Sequence, residues 1–597
     1  MHFYYGRDYI KKYLNYSLIA ILGFYASAMI CYNLTTIITN NLHFTWTFRP
    51  FTIFFALFDL KLLFGTTLLY FLTLLFIARY THNIKEFLKR KKNELPKEDG
   101  NLEYGSSRWA TNKEIKSTFK VWDIGSNLST GGIPVTYLDN KYYYSDEFDH
   151  TLIIGSTGSG KTICEIMPLI FNLGYANESM VINDTKGELY STTANFLKKQ
   201  GYDIKVINLR DAFNSDKWNP LHLPYKYYKK GKIDEAGDMI ENFSKSLTKN
   251  LSSKDMYWEK SANAVLTALC YALMEDATSE DEVHLFSIYN LLVEHGSKYF
   301  GRENSLDLYF QQKPQGTLSK LSYATGSFAK GETRATLFSV LATVIKMFSD
   351  TGIANLTSST DFELEDIGKK KTAVFLIIPD EKESRHELAS LFIDQCYQAL
   401  INTAQSYSDG KLPIRINFIL DEFGNMPSIP SISNKVTVSR SRNVRFTFVL
   451  QNFKQLEEKY KESAETIKSN TSWIYLLTSD PKTAKEISER LGKYTISSSR
   501  TSTSSRLQQT DFNISNDKSL MGRELLTPDE LMRLKFGEAI FMKSRMYPIK
   551  ARIHPIMKYP IKYELATLPK NKKNNKVKCF NLDEYRKLNE DNRLDLE

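Results

Sequence analysis

The sequence predicts an α/β protein on an N-terminal two-helix membrane anchor, with an all-α domain inserted into the α/β body. Three observations lead there. Apolar residues crowd into the first 80 positions, although the chain as a whole has a negative mean hydropathy of -0.35. Further on, short β-rich apolar runs that end in polar or acidic residues alternate with helical patterns, as in a parallel sheet covered on both faces. One of these runs leads directly into Gly155-Ser156-Thr157-Gly158-Ser159-Gly160-Lys161-Thr162, a complete G-x-x-x-x-G-K-[ST] pattern.

The anchor comes first in the chain. From Tyr16 to Ile38 there is no charge, and at 1.5 Å per residue such a run crosses a hydrocarbon core of ~30 Å. Leu62 to Ala78 is a second, shorter uncharged run, with Asp59 and Lys61 marking its interface. Ala26-Ser27-Ala28 resembles a signal cleavage site, but a second span follows it, which favours a helical hairpin over 1–80. Arg7, Lys11 and Lys12 precede the first span, and Arg79, Lys85 and Lys89 to Lys92 follow the second. The connection carries only Arg49 and Lys61. By the positive-inside rule both termini are expected in the cytoplasm, making this a multi-pass protein of the cell membrane.

The 597 residues leave room for about three to five structural units. With 42% hydrophobic and 24% charged residues, disorder is excluded as the dominant state. The net charge of +10 admits an anionic partner without requiring one, because the basic membrane flanks could supply the whole excess. Cys31, Cys164, Cys270, Cys396 and Cys579 are far apart and form no C-x-x-C pair, and the nine histidines are scattered. A disulfide framework, a zinc site and a Ser/His/Asp triad are therefore not expected.

Buried strands are predicted at Thr151 to Ile154, Met180 to Ile182, Ile204 to Asn208, Ala373 to Ile378, Ile416 to Leu420, Arg445 to Leu450 and Trp473 to Leu477. Their polar ends would gather at one edge of a doubly wound sheet, where such folds bind ligands. The gap after the third strand is too long for one crossover and reads as helical, as at Trp258 to Leu273 and Arg334 to Met347. This divides the body into a membrane-proximal linker and first half of the nucleotide-binding domain (81–224), an all-α domain (225–345) and the second half (346–560). Ile496 to Lys518 is Ser/Thr-rich and is expected to be a mobile loop. Residues 561–597 read as a polar tail.

Glycines at 155, 158 and 160 allow backbone N–H groups to wrap phosphate oxygens at a helix N-terminus. Lys161 would reach the terminal phosphates of ATP, and the Thr162 hydroxyl would ligate Mg²⁺. Such a loop needs an acidic partner. Ile416 to Leu420 followed by Asp421-Glu422 supplies one, with Asp421 in the Mg²⁺ shell and Glu422 as general base toward water. Asp380-Glu381 and Asp184 are rivals; Pro379 would displace the first pair, and Asp184 ends the strand after the P-loop helix. Arg440 and Gln451 flank the next strand. An Arg could face a neighbouring subunit's γ-phosphate, solvent or nucleic acid, and a strand-tip Gln could sense the phosphate; spacing does not choose between these. Lys369 to Lys371, Arg440 to Arg445 and Lys570 to Lys578 are basic clusters that could contact DNA or be solvated faces.

Seven further stretches occur in a fixed order: Tyr104-Gly-Ser-Ser-Arg-Trp-Ala-Thr111, Asn183-Asp184-Thr-Lys186-Gly187-Glu188-Leu189-Tyr190, Trp218-Asn219-Pro220-Leu221, Tyr257-Trp258-Glu-Lys-Ser-Ala262, Leu420-Asp421-Glu422-Phe-Gly-Asn-Met-Pro427, Gln451-Asn-Phe-Lys-Gln-Leu456 and Leu525-Leu-Thr-Pro-Asp-Glu530. With them the chain resembles the type IV secretion coupling proteins, the ATPases of conjugative DNA transfer, over nearly all of its length. Ser107, where the family often has Ala, and the short second span are its departures.

The resemblance implies a membrane-anchored homohexamer with a RecA-like P-loop motor and a membrane-distal all-α domain. It also implies a role linking a relaxase–DNA complex, the relaxosome, to the type IV secretion channel, with DNA-stimulated ATP hydrolysis driving single-stranded DNA across. It aligns Arg440 with the family's proposed trans-acting arginine finger and Gln451 with its strand-tip Gln. Two other readings remain open at this stage: an anchored substrate receptor with nucleotide as a structural switch, and a segregation-type DNA translocase.

Overall fold

The computed structural model describes residues 4–39, 48–92, 97–98, 102–249, 256–301, 303–326, 332–379, 383–504, 513–570 and 576–587. The chain divides into two compact units, Met1–Tyr104 with Thr495–Arg523, and Gly105–Tyr494 with Glu524–Glu597.

In the first unit, helices Tyr4–Thr39 and Leu60–Lys92 are joined through a short helix, Pro50–Ala56. Two stretches, Ala20–Thr39 and Leu60–Ile77, are long and apolar enough to cross a membrane. The two long helices run antiparallel and close. The Tyr70 hydroxyl donates to Ala20 O at 3.1 Å, and a Cβ on Gly65 would lie 2.9 Å from Cys31 Sγ. Small residues at the crossing let the backbones approach, the usual source of helix association where lipid removes the hydrophobic drive. Ile21, Leu22, Phe64, Phe71 and Phe76 are exposed on the outside of the pair.

Lys493–Ser504 and Asn513–Glu524 form strands, and Lys97–Glu98 pairs antiparallel with the first of them. The described residues of the segment expected to be a mobile loop over 496–518 are thus extended ribbon, with 505–512 outside the described residues. β-Branched threonines favour an extended backbone, and a polar ribbon carries no apolar alternation to announce it.

The second unit is built on a nine-stranded sheet: β1 (His150–Ile154), β2 (Ser179–Asp184), β3 (Asp203–Asn208), β4 (Thr372–Ile377), β5 (Ile416–Leu420), β6 (Val444–Leu450), β7 (Thr471–Tyr475), β8 (Glu538–Met542) and β9 (Ile549–Arg552). Across the sheet they lie in the order β9-β8-β7-β1-β6-β5-β2-β4-β3. The seven strands from β7 to β3 are parallel, and β8 and β9 add antiparallel pairs at one edge. All seven predicted strands are present. The antiparallel pair went unread because β9 is four residues long and half exposed, a weak alternating signal. A small antiparallel sheet of Lys120–Trp122, Ile133–Leu138 and Lys141–Ser145 was also missed, its strands being three to six residues long with no regular alternation of buried and exposed positions.

Successive side chains enter different cores, as a period of two requires. Leu152 and Ile154 of β1 lie in one, and Ile153 lies in the other. The first core continues without a break into a helical segment between β3 and β4, running from His222–Lys229 through Met256–Asp276 to Thr351–Thr357. Among its described residues the only strands are the two-residue pair Tyr299–Phe300 and Glu303–Asn304. Asn219 fixes the entry to this segment: its Nδ2 donates to Val283 O at 2.8 Å, its Oδ1 accepts from Leu221 N, and Gln395 Nε2 donates to Pro220 O.

The region read as a polar tail is in part firmly held. Ala566 N donates to Ser191 O, and Asn195 Nδ2 donates to Leu565 O, fastening the chain to helix Glu188–Lys199. Further on, Phe580 and Leu582 are buried in the first core, Phe580 N donates to the Ser287 hydroxyl, and Lys578 pairs with Glu282 at 3.0 Å. Two apolar residues anchor a stretch whose average composition is polar.

Candidate nucleotide site

β1 delivers the glycine-rich loop to the sheet edge where the parallel strands end. Gly155 N donates to Leu450 O at 3.0 Å and Ser156 N to Leu477 O at 2.6 Å, so the ends of β6 and β7 hold its start. Gly158 and Gly160 have φ of +80° and +93°, a conformation other residues adopt only with strain. A Cβ on Gly155 would lie 2.4 Å from Ser159 Oγ. Thr157 is exposed, whereas the buried Ser159 hydroxyl has no partner among the described residues. Lys161 is buried, its ammonium donating to Gly155 O at 2.6 Å and Ser156 O at 3.3 Å. Burial lowers its pKa, and Glu422 and Asp421 oppose that shift. The following helix opens with a wide turn in which Met167 N donates to Thr162 O. The tight backbone, the unpartnered hydroxyl and the folded-back lysine together fit a polyphosphate group.

Two strands away, β5 ends in Asp421. Its carboxyl is pushed up to about 7, first by burial and then by the neighbouring Glu422. Asn183 Nδ2 donates to Asp421 O, and Glu422 N donates to Asp421 Oδ1 at 3.0 Å. Glu422 has φ of +51°, a strained value for a residue with a side chain. Its Oε2 accepts from Gln451 Nε2 and from Asn425 Nδ2, both at 3.1 Å. The strand tips of β5 and β6 therefore bring Glu422 and Gln451 into direct contact. Thr162 and Asp421 are the residues that would hold a magnesium ion, by donor type, Asp421 lying close enough to the loop for Lys161 to act on its titration.

Sequence reasoning missed the supports of this pair. Gln455 Oε1 accepts from Gln451 N, and its Nε2 donates to Asn425 Oδ1 at 3.2 Å. The ammonium of Lys459 donates to Gly424 O and Met426 O, and burial lowers its pKa to about 8. The four-residue spacing of Gln451 and Gln455 was the available signal.

Of the two rivals, the structure places one. The buried Asp184 carboxylate accepts from Gly187 N and Tyr190 N, both at 2.8 Å, and so caps the helix that follows. Asp380-Glu381 lies outside the described residues.

Arg440 lies at the opposite sheet edge. It follows helix Ile432–Ser439, precedes β6, has a side chain 63% exposed and approaches Asp149 at 3.6 Å. The five residues of β1 put about 16 Å of strand between that edge and the glycine-rich loop. The structure thus does not bring Arg440 to the P-loop of its own chain. The clusters at Lys369 to Lys371 and Arg440 to Arg445 are largely engaged within the fold, whereas residues 571–575 of the cluster at Lys570 to Lys578 lie outside the described residues. Lys370 pairs with Asp203 and Asp366, Lys371 donates to Gln200 O, Arg442 donates to Gly410 O, and Arg445 is buried against Glu178.

A family model described as "Type IV secretory system Conjugative DNA transfer" matches residues 106–576. The chain belongs to this family. Among its relatives, Protein VirD4 of Rhizobium radiobacter is 24% identical over 420 residues, covering 69% of this chain and 57% of VirD4. Conjugal transfer protein TraG of Escherichia coli is 22% identical over 469 residues, covering 72% of this chain and 71% of TraG. The chain thus spans little more than half the length of its VirD4 relative. In fold it is similar to the bacterial conjugative coupling protein TrwBdeltaN70, with a TM-score of 0.55 at 16% identity, over 78% of this chain and 97% of that one. It is likewise similar to plasmid coupling protein TrwB in complex with ADP and Mg2+, with a TM-score of 0.53 at 15% identity, over 75% and 94% of the two chains.

Proposed function

We propose that this protein is a membrane-anchored coupling ATPase that links a relaxase–DNA substrate to a type IV secretion channel and drives single-stranded DNA through it. The observation that carries this reading is the pairing of a P-loop with Asp421 and Glu422 two strands away, the Glu422 carboxylate being held by Gln451. A pure receptor has no need for a carboxylate positioned as a general base.

In this reading the RecA-like core is formed by 81–224 and 346–560, and 225–345 is an inserted all-α domain. Glycine-loop N–H groups and Lys161 bind the phosphates of ATP, and Thr162 and Asp421 hold magnesium, which supplies neutralising charge when bound. Glu422 accepts the proton of the attacking water. Because Gln451 touches Glu422, a shift at one strand tip is felt at the other. Arg440 serves a neighbouring copy in a homohexamer, since its own site is a strand length away. Both termini lie in the cytoplasm.

The test is ATP hydrolysis by the full-length chain in lipid nanodiscs, with and without single-stranded DNA. DNA-stimulated turnover is expected to fall at least a hundredfold in Glu422→Gln and Lys161→Ala, with Glu422→Gln still binding ATP. Nucleotide binding with no turnover under any of these conditions would leave an anchored receptor instead.

A further inference from the structure

Phe536 stands on the other side of the glycine-rich loop from Asp421. It lies between helix Pro528–Leu531 and β8, and its side chain is 61% exposed. The ring touches the loop itself: a Cβ on Gly160 would lie 2.8 Å from Phe536 Cε2 and 3.5 Å from Cζ. The turn that presents the ring is fixed. Glu538 N donates to Lys535 O at 2.9 Å, Ile553 N donates to Gly537 O at 2.9 Å, and Gly537 has φ of +86°. Leu531 and Leu534 before the turn and Ala539 and Ile540 after it are buried, so the exposed ring stands on a rigid base.

The sheet order gives this position its meaning. β6 and then β5, with Asp421 and Glu422, lie to one side of β1, and β7 and then β8 lie to the other. Because β8 runs antiparallel to β7, with Ile540 opposite Tyr475, the residues just before β8 return to the edge that carries the loop. A nucleotide whose terminal phosphate faces Glu422 directs its nucleoside away from β5, toward β7 and β8. An exposed aromatic ring at that place, beside the last glycine before Lys161, suits a flat heterocycle, because every nucleobase offers a π-face and stacking needs no hydrogen-bond code.

We propose that Phe536 is the stacking platform for the base of the bound nucleotide, and that it holds adenine and guanine alike. This rests on the P-loop reading above and adds the part of the ligand that the phosphate loop does not grip. Lys535, exposed in the same turn, is the single charged residue of the 535–537 tip.

The experiment is isothermal titration of ADP, GDP and inorganic pyrophosphate, each with Mg²⁺, into the full-length chain and its Phe536→Ala and Phe536→Trp variants in detergent. Phe536→Ala is expected to weaken ADP and GDP by about tenfold each while leaving pyrophosphate unchanged, and Phe536→Trp is expected to retain wild-type affinity or exceed it. Unchanged ADP affinity in Phe536→Ala would overturn the proposal. So would equal weakening of ADP and pyrophosphate, which would make the ring a brace for the loop. Loss of GDP affinity with ADP unaffected would overturn the claim of base tolerance. A wild-type chain that binds neither ADP nor pyrophosphate would bring down the P-loop reading first, and this one with it.

Discussion

At the edge where the parallel strands begin, Glu178 accepts from Arg445 Nη2 at 2.7 Å, Asn417 Nδ2 at 2.9 Å, Gly131 N at 2.8 Å and Arg415 Nη1 at 3.3 Å. At the edge where they end, Ser159 Oγ is buried without a partner, Asp421 is held near neutral pH by burial, and Glu422 sits in a left-handed backbone conformation. Both edges bury charge. The first compensates its charge within the chain and gains rigidity, whereas the second leaves groups under-compensated, as a site must if a ligand is to complete them. Arg440, exposed beside the well-knit edge, approaches Asp149 at 3.6 Å, and on the proposed reading it serves a neighbouring copy.

The largest expected effect tests that placement. Arg440→Ala should lower ATP turnover by about a thousandfold, the scale of an arginine finger, with nucleotide affinity retained. Mixing Arg440→Ala chains with Lys161→Ala chains should restore part of the turnover, because some neighbours then pair an intact loop with an intact arginine. Failure to complement would return Arg440 to a purely surface role and break the contrast between the edges.

Next in size is the knot itself. Glu178→Gln leaves Arg445 and Arg415 buried without their carboxylate and should cost about 3 to 5 kcal/mol, read as a lower urea midpoint. A change of under 1 kcal/mol would mean the network is already open to water.

The last effect, one that appears only as pH rises, concerns Glu165, behind the loop, fully buried with neither oxygen partnered among the described residues. Burial raises its carboxyl well above the ordinary value, so the folded chain keeps a proton that the unfolded chain releases. Its stability is therefore greatest below the unfolded pKa and falls as pH rises, by about 1.4 kcal/mol per pH unit until the folded pKa is reached. Glu165→Gln should remove that dependence, so its advantage in urea unfolding should be larger at pH 8 than at pH 5. An equal difference at both would show that Glu165 finds a partner in solution.

The sheet and the loop were legible because their signals are local. A buried parallel strand is a run of apolar residues, and the phosphate loop is eight consecutive residues whose backbone needs demand glycine. Asp421 and Glu422 followed from their place at the end of such a run. Asn425, Gln455 and Lys459 were not legible, since each acts only where two strand-end loops meet, and only the fold brings those loops together. Arg440 was visible as a residue but not as a position: its distance from its own loop depends on strand direction and order. The anchoring of Phe580 and Leu582 was hidden by the polar residues around them, and β8 and β9 by their shortness at the edge.

The C-terminal stretch alters the mechanics of the helical segment. Two chain crossings, one leaving β3 and one entering β4, would define an axis about which that segment could swing. To these crossings the chain adds two further attachments, Leu565 and Ala566 against helix Glu188–Lys199, and Phe580 and Leu582 seated in the first core. Because the first core runs without a break into that segment, any large rotation already breaks that core, and withdrawing Phe580 and Leu582 adds about 1.5 to 3 kcal/mol each. The segment is less a door on a hinge than a door on a hinge with a bolt, and the bolt belongs to the same chain.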